Sequence, residues 1–81
     1  MVTKEDLRTW LVECLRLHGG NATIVDLCKC IWERHHQDLV DAGDLFYTWQ
    51  YDVRWVATQL RKVGVLREVE SSPKGVWELK R

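Results

Sequence analysis

The stretch from Trp49 to Leu79 constrains this chain most. It reads as a helix, TWQYDVRWVATQLRKVG, followed by VLREVE, a turn SSPKG, and VWELK. On a helical wheel at about 100° per residue, Trp49, Val53, Val56, Ala57, Leu60 and Val63 gather within roughly a third of the circle. That is the width of a core-facing stripe. Gln50, Tyr51, Arg54, Thr58, Arg61 and Lys62 take the margin and the opposite side. Trp55 falls outside both groups. Thr48 suits an N-cap because its hydroxyl can accept an orphan backbone N–H. Gly64 suits the position just past the C-terminus, and Arg61 and Lys62 suit the negative end of the helix dipole. The segments 65–70 and 76–80 alternate with period two and predict a β-hairpin, with Gly75 available for positive φ in the turn. A two-stranded hairpin is marginal alone, so Trp77 and Leu79 are expected to anchor it on the helices.

Two helices are predicted upstream. Thr3 can cap the first, with Asp6 in the position of a capping-box acid. Leu7, Trp10, Leu11, Cys14 and Leu15 then recur at helical spacing until Gly19-Gly20. Thr23 and Asp26 repeat the capping arrangement for the second, whose apolar stripe is Ile24, Leu27, Cys28 and Ile31, with fraying expected near His35. Asn21-Ala22-Thr23 is placed to add a short third strand beside the hairpin. Residues 37–42 read as one or two helical turns stopped by Gly43, with Leu39, Leu45 and Phe46 pinning the connector. Three helices with a C-terminal hairpin and a short third strand make an α+β winged helix occupying residues 1–81 as one domain.

An 81-residue chain buries roughly 60% of its unfolded surface, enough to fold alone with little margin. The apolar content of 46% and five tryptophans favour a packed core over disorder. No apolar run approaches the ~18 residues of a membrane span, and no signal-peptide pattern opens the sequence. A cytoplasmic location is therefore expected. Three cysteines are an odd number, which speaks against a disulfide framework and for reduced thiols.

Metal and enzyme chemistry find no support. Cys28 and Cys30 on one helix diverge by about 200°. Cys28 and His35 share a face but stand about 10 Å apart along the axis, whereas zinc needs several donors within about 2.0–2.3 Å. Cys14 and Cys28 read as small core residues and Cys30 as a flank residue. There is no nucleophile elbow, phosphate-cradling Gly-rich loop or paired-carboxylate motif. No catalytic residue, metal site or cofactor is expected.

The formal net charge is zero, which weighs against strong nonspecific affinity for DNA. Its distribution is uneven. Residues 1–47 hold 5 Lys/Arg and 8 Asp/Glu, a net of −3, while residues 48–81 hold 7 and 4, a net of +3. The basic half is the helix-plus-hairpin half. Arg54, Thr58 and Arg61 line up at i, i+4 and i+7, and Arg can read guanine or hold phosphate. Gln50 and Tyr51 lie towards the helix N-terminus, the end that enters the major groove in helix-turn-helix docking. Lys62, and Lys74 on the turn, can neutralise phosphate. The competing reading is an ordinary solvated helix face.

The segment RWVATQLRKVGVLREVESSPKGVWELK resembles the end of the N-terminal winged-helix domain of Mrr-type restriction endonucleases. The residues that carry the likeness are Trp55, Val56, Leu60, Arg61-Lys62, Gly64, Val65-Leu66 and Gly75-Val76-Trp77-Glu78-Leu79. It covers about a third of the chain and marks mainly core and turn positions. The resemblance implies a regulatory module that binds double-stranded DNA, often attached to a nuclease, and makes Trp55 structural. The 81 residues hold no nuclease segment, which leaves open a stand-alone regulator or part of a longer protein. The alternative is a protein-interaction or dimerisation module without DNA contact, its acidic connector (Asp38, Asp41, Asp44) facing a basic partner. A homodimer whose two third helices read a palindrome also stays open.

Overall fold

The computed structural model describes residues 2–80. Helix α1 spans Lys4–Leu17. The Thr3 backbone N–H donates to Asp6 Oδ2 at 2.9 Å, as the Thr-x-x-acid spacing predicts. Leu7, Leu11, Cys14 and Leu15 are fully buried. Gly20 closes the helix by donating to Leu15 O at 2.8 Å. Strand β1 is Asn21–Thr23. Thr23 then caps α2, Ile24–Val40, its Oγ1 accepting the Asp26 N–H at 3.1 Å. Leu27, Ile31 and Leu39 are buried.

The expected fraying near His35 takes the form of a break. His35 leaves helical geometry (φ −133°, ψ 20°), and the helix resumes to Val40. The connector turns expected over 37–42 are thus a continuation of α2. Gly43 takes φ +68° before helix α3, Leu45–Lys62. This helix begins upstream of the predicted cap. Its N-cap is Asp44, and Thr48 lies inside it. Val63 is a correction to the predicted stripe: it is the C-cap of α3 and is exposed. The other stripe residues, Trp49, Val53, Val56, Ala57 and Leu60, are buried as expected.

The second correction concerns the hairpin. Strand β2 is Val76–Glu78 and pairs antiparallel with β1, setting Asn21 opposite Glu78, Ala22 opposite Trp77 and Thr23 opposite Val76. The predicted strand over 65–70 is reduced to one bridge, Leu66 to Leu79. It is supported by Arg67 N–H to Glu78 O and Lys80 N–H to Val65 O, both at 2.9 Å. Residues Val69–Ser71 then form a 3₁₀ turn. The cause lies at both ends of the segment. Val65 and Leu66 donate their N–H groups to Leu60 O as the helix cap. Farther on, Glu68, Val69 and Glu70 are all exposed, so no buried face draws a strand onward.

The described residues thus form an α+β fold of three helices and a two-stranded antiparallel sheet. Trp49, Leu60, Leu66 and Trp77 join the buried residues of α1 and α2 in one core. The third correction lies inside it. Cys14 and Cys30 are joined by a disulfide from α1 to α2, with Cα atoms 6.0 Å apart, so two of the three expected thiols are not thiols. The i, i+2 divergence on α2 holds: Cys30 turns to α1, and Cys28 stays free and half-buried on another side. The odd cysteine count excludes a fully paired set but leaves room for one bond between helices. Among the described residues, no helix is long and apolar enough to cross a membrane.

Candidate nucleic-acid interface

Helix α3 packs against α1 and α2 and exposes its remaining surface. Gln50, Tyr51, Arg54, Thr58 and Lys62 are all exposed there. They stand on a helix whose buried face is fixed by Trp49, Val53, Val56 and Leu60, so their relative positions follow from the helical repeat. Thr58 Oγ1 donates to Arg54 O at 3.2 Å, which leaves the hydroxyl's lone pairs free to accept.

Arg61 differs from its neighbours. It is half-buried, and its guanidinium lies 5.7 Å from the centroid of the Trp77 ring. That contact ties α3 to β2 and takes Arg61 partly away from solvent. Lys74 is exposed on the turn before β2, on a different element from the other six residues.

The acids around this face are arranged unevenly. Asp52 is the only acidic residue within α3, and it is buried. Its Oδ2 accepts the Thr48 hydroxyl at 2.7 Å, and Lys4 Nζ lies 3.8 Å from Oδ1. No carboxylate therefore interrupts the exposed side of the helix from Leu45 to Lys62. The turn side is mixed: Glu68 and Glu70 are exposed near Lys74, while Arg67 faces Glu78 at 3.9 Å.

The flanks of α3 carry residues that sequence reasoning placed less well. On the α1 side, Trp55 is 45% exposed, and Lys4 Nζ sits 4.7 Å over its ring. On the α2 side, Trp32 stacks on Trp49 with centroids 6.3 Å apart. Cys28 lies beside them, its thiol pushed up by burial and partly relieved by the charge of Arg54. Behind the helices, Glu13 accepts from Arg34 Nε at 2.8 Å and is 3.1 Å from His35 Nε2. These contacts, the Arg34 bond first, hold its carboxyl below the usual range. His35 is also stacked on Trp10 at 4.0 Å. This cluster surrounds the break in α2. Among the described residues, no three His, Cys, Asp or Glu side chains converge to hold a metal ion.

Comparison with known protein families, with curated proteins and with solved structures gave no match.

Proposed function

We propose that this chain is a winged-helix module, Mrr-like in its C-terminal third, that binds double-stranded DNA. In this reading α3 enters the major groove. Gln50, Tyr51, Arg54 and Thr58 face base edges or nearby phosphates, and Lys62 and Lys74 neutralise backbone charge. Arg61 contributes mainly by fixing α3 to β2. The observation that carries the reading is the exposed side of α3, which bears Arg54 and Lys62 with no exposed carboxylate between its ends. The segments 65–67 and 76–80 take the place of a wing, shorter than a full hairpin. The module needs no catalytic residue, metal or cofactor. The reading places the module in the cytoplasm, and the Cys14–Cys30 bond is the observation that weighs against that location.

The test is a salt titration of a fluorescein-labelled duplex. The logarithm of the binding constant falls with the logarithm of salt concentration by about 0.9 for each phosphate neutralised. Arg54→Ala with Lys62→Ala lowers that slope by about 2 and weakens binding to every sequence. Affinity indifferent to salt, or a double variant that binds like the parent protein, would remove the basis of the reading.

A protein partner is the second reading. Trp49 is buried and stacks on Trp32, which is partly exposed, as is Trp55. Trp32 and Trp55 lie on opposite flanks of α3, so support for this reading is confined to the α2 flank.

A further inference from the structure

The groove between α2 and α3 is an apolar cleft that the DNA reading uses only at its Gln50 and Arg54 edge. It measures about 630 Å³, within the roughly 300–1,000 Å³ of built binding sites. Val25 and Trp32 form its α2 wall, Phe46 and the edge of buried Trp49 its α3 wall, and Lys29 and Arg54 stand on opposite sides. Val25 is 62% exposed and Trp32 39% exposed. The half-buried, free Cys28 also lines it.

Length and charge together select an occupant. Val25 to Trp32 spans about 10.5 Å along α2, and Phe46 to Arg54 about 12 Å along α3, at 1.5 Å per residue. That is two helical turns on each wall, longer than one base or one small ring. Both charged residues of the lining are cations, and none is a carboxylate. The α2 acids Asp26 and Glu33 line the neighbouring cleft, which shares Lys29 with this groove, so Arg54 is the cation that the groove alone holds against a carboxylate. Duplex DNA satisfies the cations but offers little apolar surface to cover valine, tryptophan and phenylalanine. An acidic amphipathic peptide supplies both, its apolar residues at helical spacing facing the groove and its carboxylates facing Lys29 and Arg54.

We propose that the α2–α3 groove is a docking site for an acidic amphipathic segment of a partner protein. The site does not depend on the DNA reading, because Val25, Lys29 and Trp32 take no part in that interface. Binding there covers Arg54, so an acidic partner and a duplex compete for that side chain.

The probe is a fluorescein-labelled helical peptide of about 16 residues, with leucine at i, i+4 and i+7 and glutamate on the other faces. A twin carries lysine in place of every glutamate. The acidic peptide is expected to bind at least about tenfold more tightly than its twin. Val25→Glu and Lys29→Glu each weaken it by about tenfold or more, since both place a carboxylate in the groove. Val25 is exposed in the first turn of α2, where a glutamate suits the helix dipole, and circular dichroism checks that both variants fold. Saturating acidic peptide also slows alkylation of Cys28 by iodoacetamide, while Cys14 and Cys30 stay protected by their bond. Equal binding of the two peptides, no binding of either at about 1 mM, a level where even weak specific contacts register, or unchanged Cys28 alkylation overturns the proposal. So does protection of Cys28 by a short duplex but not by the acidic peptide, which would assign the groove to nucleic acid.

Discussion

Asp52 imposes a demanding condition on the residues around it. It is a carboxylate with only 6% of its surface exposed, satisfied by the Thr48 hydroxyl at 2.7 Å with Lys4 at 3.8 Å. Thr48→Val keeps the side-chain shape and deletes that donor. The variant is expected to lose about 1–3 kcal/mol in urea unfolding, the cost of an orphaned buried acceptor. Arg54→Ala on the exposed side stays within about 0.5 kcal/mol by the same measurement. On the wheel, Asp52 lies within about 20° of Val63, at the edge of the apolar stripe. Thr48 stands four residues before it, so the pair was visible as an i, i+4 contact. A threonine that also suits an N-cap does not by itself signal that contact. Glu13 gives a pH signature. Its carboxyl is held below the ordinary value of 4.5 by Arg34 and then His35. A depressed carboxyl stabilises the fold above its unfolded value, and that stability fades as pH falls through the lowered folded value. The difference in Tm between the parent protein and Glu13→Gln is therefore expected to shrink as pH falls below about 4.5. A difference that does not change with pH would mean that the ion pairs contribute nothing.

At the scale of elements, local chemistry was legible and pairing was not. Thr3 with Asp6 and Thr23 with Asp26 mark true helix starts. Gly64 takes φ +81° just past the end of α3, as expected of a glycine at the C′ position. Helix α3 starts upstream of the Thr48 cap because Leu45 and Phe46, which suit a connector, also suit a first helical turn. The strand over 65–70 was overextended because alternation alone does not say whether a face exists to receive Val69. Trp77 shows what decides it. Its ring is buried at the centre of β2, opposite Ala22, with Arg61 over it. Trp77→Ala removes that anchor at about 3–5 kcal/mol, a large part of the roughly 5–15 kcal/mol available to a small domain. The expected outcome is a broad thermal transition at much lower temperature, followed by circular dichroism. A melt within a few degrees of the parent protein would contradict the assigned role.

The whole molecule is held by α1. It packs on α2 and α3, and Cys14 bonds it to Cys30 across the core. Sequence spacing could not show this bond, because Cys14 and Cys30 meet only once two separate helices dock. With 16 residues of separation, a chain-entropy estimate gives about 3 kcal/mol for opening a loop of that size. Reduction with dithiothreitol is expected to lower the unfolding free energy by about that amount. The count of accessible thiols in denaturant rises from Cys28 alone to all three cysteines. If all three react before reduction, the protein carries no bond and the predicted loss disappears. The β1–β2 ladder has a different consequence, for the order of events at the ribosome. Asn21 pairs with Glu78, so the first strand to emerge stays without its mate until nearly the entire stretch between them has been translated. Helices α1 to α3 can form and touch during synthesis, but the sheet closes only after Glu78 clears the exit tunnel. A nascent chain stalled short of that point would expose β1 and an incomplete core to whatever meets it first.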